Sequence, residues 1–168
     1  MAKNEEVEQV HLMTENIILT SDLITLRENL AKRSIVLATG CFDILHIGHL
    51  HFLKDAAMQG DILVVGVNSD RSVKMIKGPT RPIASQDERV SLVASFRFVA
   101  YAFVCDDIVA DDCILNLKPD VFVAGEESIH VYPSESATAK QVGARIHIVM
   151  RITAPSTTSI IKNLSAKA

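Results

Sequence analysis

The chain has no block of basic residues: 17 Lys and Arg stand against 20 Asp and Glu, for a formal net charge of −3. Phosphate backbones attract clustered cations, so this balance argues against a nucleic-acid partner. No apolar run approaches the roughly 18 residues that a membrane span needs, and residues 1–9 are acidic and polar, unlike a secretory signal. Cysteine is scarce. Cys41, Cys105 and Cys113 form no CxxC and no recurring pair, and an odd, unpatterned count reads as reduced thiols. Internal repeats, low-complexity tracts and linkers are also missing. These absences leave an expectation of a soluble, cytoplasmic protein with no membrane partner. At 168 residues it is long enough for one domain with a real core.

What is present is a strict alternation of apolar runs and amphipathic segments. Residues 1–20 lack periodicity and read as an N-terminal arm ahead of a domain over 21–168. Ser21 or Asp22 caps a predicted helix running to about Lys32. Residues 34–38 read as a buried strand and 46–58 as a helix closed by Gly60. The continuous apolar run 62–67 reads as a strand covered on both faces. Residues 74–82, basic and rich in turn formers, read as a surface loop. Helices over 86–96, 106–117, 134–142 and 156–164 then alternate with strands over 98–104, 121–124 and 145–149. The alternation predicts an α/β fold, a Rossmann-like doubly wound parallel sheet in a single domain. Ligands of such sheets sit beyond the carboxyl ends of the strands. The polar stretches 40–49, 68–81 and 151–159 all fall at that edge.

The first of these stretches reads Gly40-Cys41-Phe42-Asp43-Ile44-Leu45-His46-Ile47-Gly48-His49. His46 and His49, three apart, share a helix face. Gly40 permits a tight strand-to-helix turn, and Gly48 leaves room for a close ligand. A helix N-terminus offers unpaired N–H groups and a positive dipole end to an anion. Two imidazoles there can donate to a phosphate as its charge grows. A metal pair, or two surface histidines, is the plainer reading of HxxH alone; the surrounding Gly-x-Phe-Asp and the central glycine favour the phosphate.

The decapeptide resembles the signature of the cytidylyltransferase-like nucleotidyltransferases. The resemblance covers roughly residues 20–165. Val67-Asn68-Ser69-Asp70, Lys77-Gly78-Pro79-Thr80-Arg81-Pro82, Glu88-Arg89 and Ser156-Thr157-Thr158-Ser159-Ile160-Ile161 are similar to the adenylyltransferase domain of the bifunctional heptose enzymes. A class I aminoacyl-tRNA synthetase is not matched, because the chain is short and has no Lys-Met-Ser-Lys-Ser.

The resemblance implies a Mg²⁺-bound nucleoside triphosphate and a phosphorylated small molecule as substrates, and a homodimer. It makes His46, His49, Lys77 and Arg89 the catalytic phosphate contacts, with Lys74 and Arg81 on the same basic loop. Thr39, Gly40, Cys41, Phe42, Gly48, Arg151, Ser156, Thr157 and Thr158 become the nucleotide's bed. Asp43, Asp70 and Glu126 become the acceptor's, although Asp43 and Asp70 read equally as turn or cap residues, and Glu126 as a solvated carboxylate. No protein metal cage is expected, since Mg²⁺ would ride on phosphate oxygens and water. His11, His51, His130 and His147 have no motif partner and read as structural or exposed.

The implied activity is transfer of AMP from ATP to a sugar phosphate such as D-glycero-β-D-manno-heptose 1-phosphate. Ala38-Thr39 stands where those enzymes carry Thr-Asn. Ala124-Gly125-Glu126-Glu127-Ser128 stands where they carry Lys-Gly-x-Asp-Tyr, in the place where an acceptor would be read. Two alternatives therefore stay open: a cytidylyltransferase using CTP and glycerol 3-phosphate or a similar small phosphate, and a non-catalytic nucleotide-binding regulatory domain.

Overall fold

The computed structural model describes residues 15–153 together with Thr157, Ser159 and Ile161. Five strands, β1 (Ile35–Gly40), β2 (Ile62–Asn68), β3 (Tyr101–Cys105), β4 (Val121–Gly125) and β5 (Arg145–Val149), form one sheet. Its order is β3-β2-β1-β4-β5 and every pairing is parallel. Seven α-helices are described: α1 (Leu23–Asn29), α2 (Ile47–Ala57), α3 (Asp70–Lys77), α4 (Gln86–Ala94), α5 (Asp111–Leu117), α6 (Ser128–Val131) and α7 (Pro133–Gln141). Thr157, Ser159 and Ile161 are helical; the rest of the helix expected over 156–164 lies outside the described residues. No described helix is long and apolar enough to cross a membrane.

Successive strand side chains point to opposite faces, and the sequence fills both. Val36 and Ala38 of β1 pack with Leu53 and Ala56 of α2 and Val90 and Val93 of α4. Their neighbours Ile35 and Leu37 pack with Leu23 and Leu26 of α1, Ile114 and Leu117 of α5 and Ala139 of α7. That is why β1, β2 and β4 read as continuous apolar runs: each is covered twice, whereas the edge strand β5 stays largely exposed. Each fully buried Val, Leu or Ile contributes about 1.5–3 kcal/mol relative to exposure. The sheet grows from β1 to β3 on one side and to β4 and β5 on the other, so the connections leaving β1 and β4 run to opposite faces and leave the crevice that a ligand can enter.

Three elements differ from the sequence-based expectation. The basic stretch after Asp70 is not a loop until Gly78. Ser69 caps α3 by accepting from the Ser72 N–H (3.2 Å), and the helix runs through Lys77 to Gly78, whose φ of +100° stops it. The helix expected from 106 begins only at Asp111, because Asp106 is drawn to Ser69 (2.6 Å) and Arg71 (2.7 Å) instead. The short α6 was not anticipated. Residues 15–20 also have a place: Asn16, Ile17 and Ile18 run parallel to β3, with Ala102 N donating to Asn16 O (3.0 Å) and Ile18 N donating to Ala102 O (2.9 Å). This pairing covers a sheet edge that would otherwise present unpaired N–H and C=O groups.

At the opposite, amino-terminal end of the sheet, Asp120 Oδ2 accepts from the Ile35 N–H (2.8 Å) and from Arg27 (2.7 Å). Burial pushes this carboxyl up, but the bonds from Arg27 and Ile35 outweigh it and hold it below the usual carboxylate value. A depressed folded value means stabilisation that is full above the unfolded pKa and lost as pH falls through the folded one. Asp120→Ala should lower stability by about 1 kcal/mol at neutral pH, a modest figure because the partly exposed carboxylate is screened. The gap to wild type should close in acid. Urea unfolding of both proteins across pH checks this, and a gap that stays constant into acid contradicts it.

Candidate active site

β1 ends at the centre of the sheet in Thr39 and Gly40, and the chain must turn at once into α2. Phe42 takes a left-handed conformation (φ +47°). Its buried ring lies so close over Gly40 that a Cβ there would be 3.0 Å from Cε2. The same ring meets His49 edge-on, with centroids 5.3 Å apart. Beneath the turn lies Arg89, which is 0% exposed. It donates to Cys41 O (2.5 Å), Ala84 O (3.0 Å) and Asp70 Oδ1 (2.8 Å). Asp43, also buried, accepts from Ile83 N (2.7 Å) and Ala84 N (3.2 Å) and pairs with Arg81 (2.6 Å). The loop after α3 is thus stitched to the turn from both sides.

His46 is the N-cap of α2, an uncommon residue in that role. Its Nδ1 accepts from the Gly48 N–H at 3.1 Å. The proton of the neutral ring therefore sits on Nε2, which leaves one donor for a ligand. Gly48 is needed because a Cβ there would lie 2.9 Å from the His46 ring. Gly48 thus admits His46's own side chain, and it also lines the larger cavity. The His46 and His49 rings stack, with centroids 3.8 Å apart and 23° between planes. Burial lowers the His46 pKa, with Arg151 adding to the shift. Burial, and then the neighbouring His46, lower that of His49 to about 4, against smaller upward contributions from Asp43 and the Ile44 backbone. Both rings are neutral at pH 7.

Two cavities open on this turn and share Thr39, Gly40, Cys41 and Ser128. The larger, about 310 Å³, lies over β1, β4 and β5 and is lined by both histidines, Phe42, Gly48, Glu126 and Arg151. The smaller, about 160 Å³, is walled by the ends of β2, β3 and β4 and holds Asn68, Lys77, Cys105, Tyr132 and Glu135. Glu135 is buried and accepts from Ala110 N (2.8 Å), and burial pushes its carboxyl up. Among the described residues no cluster of three or more His, Cys, Asp and Glu could hold a metal ion.

The family model described as cytidylyltransferase-like matches residues 37–163, which takes in the whole turn and both cavities. The chain belongs to the cytidylyltransferase-like family. It is 39% identical over 133 residues to the bifunctional protein HldE of Campylobacter concisus, covering 79% of this chain and 27% of that one. To the bifunctional protein HldE of Syntrophotalea carbinolica it is 33% identical over 172 residues, covering 94% and 34%. The chain thus spans about a third or less of the length of these curated relatives. Among solved structures it resembles the lipopolysaccharide core biosynthesis protein of Thermoplasma volcanium (30% identity, TM-score 0.59, 71% of this chain and 97% of that one). It shares the fold alone with the pantoate-beta-alanine ligase of Francisella tularensis (14% identity, TM-score 0.57, 88% and 73%).

In this member of the family the expected site residues separate into groups. His46, His49, Thr39, Gly40, Cys41, Phe42, Gly48, Glu126 and Arg151 converge on the larger cavity, and Lys77 stands at the smaller. Arg151 is paired across exposed surface with Glu127. Thr157 Oγ1 donates to Ile44 O at 3.2 Å, tying the segment after β5 to the turn. Ser156 and Thr158 lie outside the described residues. Arg89, Asp43 and Asp70 are engaged with protein groups, as bracing below the turn. Sequence reasoning singled out the segments of Asn68 and Lys77 but missed Cys105, Tyr132 and Glu135, which complete the smaller cavity from segments without a motif. It also missed His51, which lines the larger cavity; His147, read as structural or exposed, pairs with Asp55 at 2.6 Å and pins β5 to α2.

Removing Arg89 leaves the Cys41 and Ala84 carbonyls and Asp70 without its guanidinium. Arg89→Ala should therefore cost at least about 2 kcal/mol of stability in urea unfolding; a loss within experimental error contradicts the bracing role. The His49 ring should titrate with a midpoint near 4 in NMR, and a midpoint at the ordinary histidine value would show that the ring is solvated.

Proposed function

We propose that this domain transfers a nucleoside monophosphate, AMP from ATP in the first instance, to a phosphate oxygen of a phosphorylated sugar. The observation that carries the reading is the stacked, neutral His46–His49 pair at the start of α2, facing a cavity that joins a second one around Thr39–Cys41. The triphosphate takes the larger cavity and the acceptor phosphate the smaller. An acceptor oxygen attacks the α-phosphorus, the bond from that phosphorus to the bridging oxygen breaks, and pyrophosphate leaves. The acceptor phosphate is already anionic, so no strong base is required.

Catalysis is then positioning plus neutralisation of charge on the transferring group. His46 Nε2–H and the positive end of α2 face that charge. The neutral form of His46 suits the arrangement, since Nδ1 stays free to accept from the Gly48 N–H while Nε2–H donates. Lys77, in the last turn of α3, is assigned to the phosphates between the two cavities. Arg151 is assigned to the triphosphate and must exchange Glu127 for it. Mg²⁺ enters with the nucleotide, on phosphate oxygens and water.

Similarity to HldE and to a lipopolysaccharide core biosynthesis protein favours a sugar phosphate such as D-glycero-β-D-manno-heptose 1-phosphate as acceptor. The five-residue step from Arg151 to Ser156 supports a second reading, cytidylyl transfer from CTP to glycerol 3-phosphate or a similar small phosphate.

Pyrophosphate release with each of four triphosphates, Mg²⁺ and a panel of sugar and polyol phosphates separates the two. ATP-only release supports the first reading and CTP-only release the second; silence with tight nucleotide binding would indicate a regulatory domain. His46→Ala should lower turnover at least about 100-fold, the effect of losing one preorganised donor. A nearly unchanged rate in the folded variant would remove His46 from the mechanism.

A further inference from the structure

Cys105 and Cys113 play no part in the chemistry above, yet their sulfurs lie 3.2 Å apart. Both thiols are free and buried, at 2% and 1% exposure. Cys105 closes β3, Cys113 sits in the first turn of α5, and residues 106–110 join them. A disulfide needs sulfurs at about 2.05 Å, so closure takes a shift of roughly 1.2 Å. Cys105 also lines the smaller cavity beside Ile108 and Ala110, which gives a buried thiol a path from solvent.

We propose that Cys105 and Cys113 form an oxidative modification site, a dithiol that a small peroxide entering the smaller cavity closes to an intrachain disulfide. The Cys105 sulfur, as thiolate, attacks one peroxide oxygen; the O–O bond breaks, and the departing hydroxide takes a proton to become water. Cys105 is then a sulfenic acid. The Cys113 sulfur attacks the Cys105 sulfur, the S–O bond breaks, and the hydroxyl leaves as water with the Cys113 proton. Two thiols lose two electrons, the peroxide gains two, and two waters form.

Cys105 is the attacking member because it faces the cavity, and because the hydrogen bond from Cys113 favours its thiolate. The small size of the cavity, about 160 Å³, selects hydrogen peroxide over a bulky disulfide such as oxidised glutathione. Cys41 is the internal control: it is half-buried, lines both cavities and has no thiol neighbour.

The folded protein is treated with hydrogen peroxide, quenched, denatured and alkylated, and its peptides are mapped by mass. Alkylatable thiols should fall from the three of the reduced chain to Cys41 alone, with a Cys105–Cys113 peptide pair short of two hydrogens. Dithiothreitol should restore all three. In Cys113→Ser no bridge should form, and dimedone should trap a sulfenic acid at Cys105. The proposal is overturned if Cys105 and Cys113 both remain alkylatable, or if the bridge forms only after the chain is unfolded. None of these readouts depends on catalysis, so the site stands or falls apart from the transfer reaction.

Discussion

A buried guanidinium under the β1–α2 turn carries the geometry of the site. Arg89 has no exposed surface and donates to a carbonyl on the turn, a carbonyl on the loop after α3, and the first residue of α3. Buried charge is costly unless paired and hydrogen-bonded, so these three acceptors are drawn to one point. Once the Cys41 carbonyl is held, Phe42 is driven into a left-handed conformation and over Gly40, and its edge sets the plane of His49. His46 is fixed from the other side by the Gly48 N–H. The histidine pair is therefore positioned by an aromatic ring at one end and a backbone N–H at the other.

The electrostatics follow from that enclosure. Two stacked imidazoles cannot both be charged at low cost, and burial lowers the pKa of each. The positive character of the larger cavity then comes from the end of α2 and from Arg151, while the rings supply hydrogen bonds. Arg151 is held by Glu127 across an exposed gap. A pair of that kind is weak in water and easily exchanged for a more highly charged anion. The stability of the turn and the readiness of the cavity mouth thus rest on opposite kinds of ion pair, one buried and one exposed.

The sheet order explains why two cavities meet at one loop. With β1 central and the chain reversing between β1 and β4, the carboxyl end of β1 has helices of both faces beside it. One cavity forms beside α2 and the end of β5, the other below the ends of β2, β3 and β4 beside α3 and α7, and Thr39–Cys41 lines both. A group-transfer reaction needs two reactants close together on either side of the reacting bond, and a switch point in a parallel sheet supplies that arrangement.

The strands, their burial on two faces and the histidine turn were legible in the sequence, because each depends on neighbours a few residues away. Apolar runs define strands, and Gly-x-Phe-Asp before His-x-Gly-His defines a tight strand-to-helix turn with two histidines at the helix start. The family's HxGH and its place after the first strand follow from this local pattern alone. Distance in the chain decided the rest. Arg89 reads as a phosphate contact by position, but it is separated from Cys41 by 48 residues, and only packing shows it turned inward. Lys74 and Lys77 read as a loop until the Ser69 cap and the Gly78 turn are seen to bracket a helix. The far walls of the smaller cavity, Cys105, Tyr132 and Glu135, and the Cys105–Cys113 contact have no motif. They exist because β2, β3, α3, α5 and α7 come together in space, and contacts between remote segments are set by the tertiary fold.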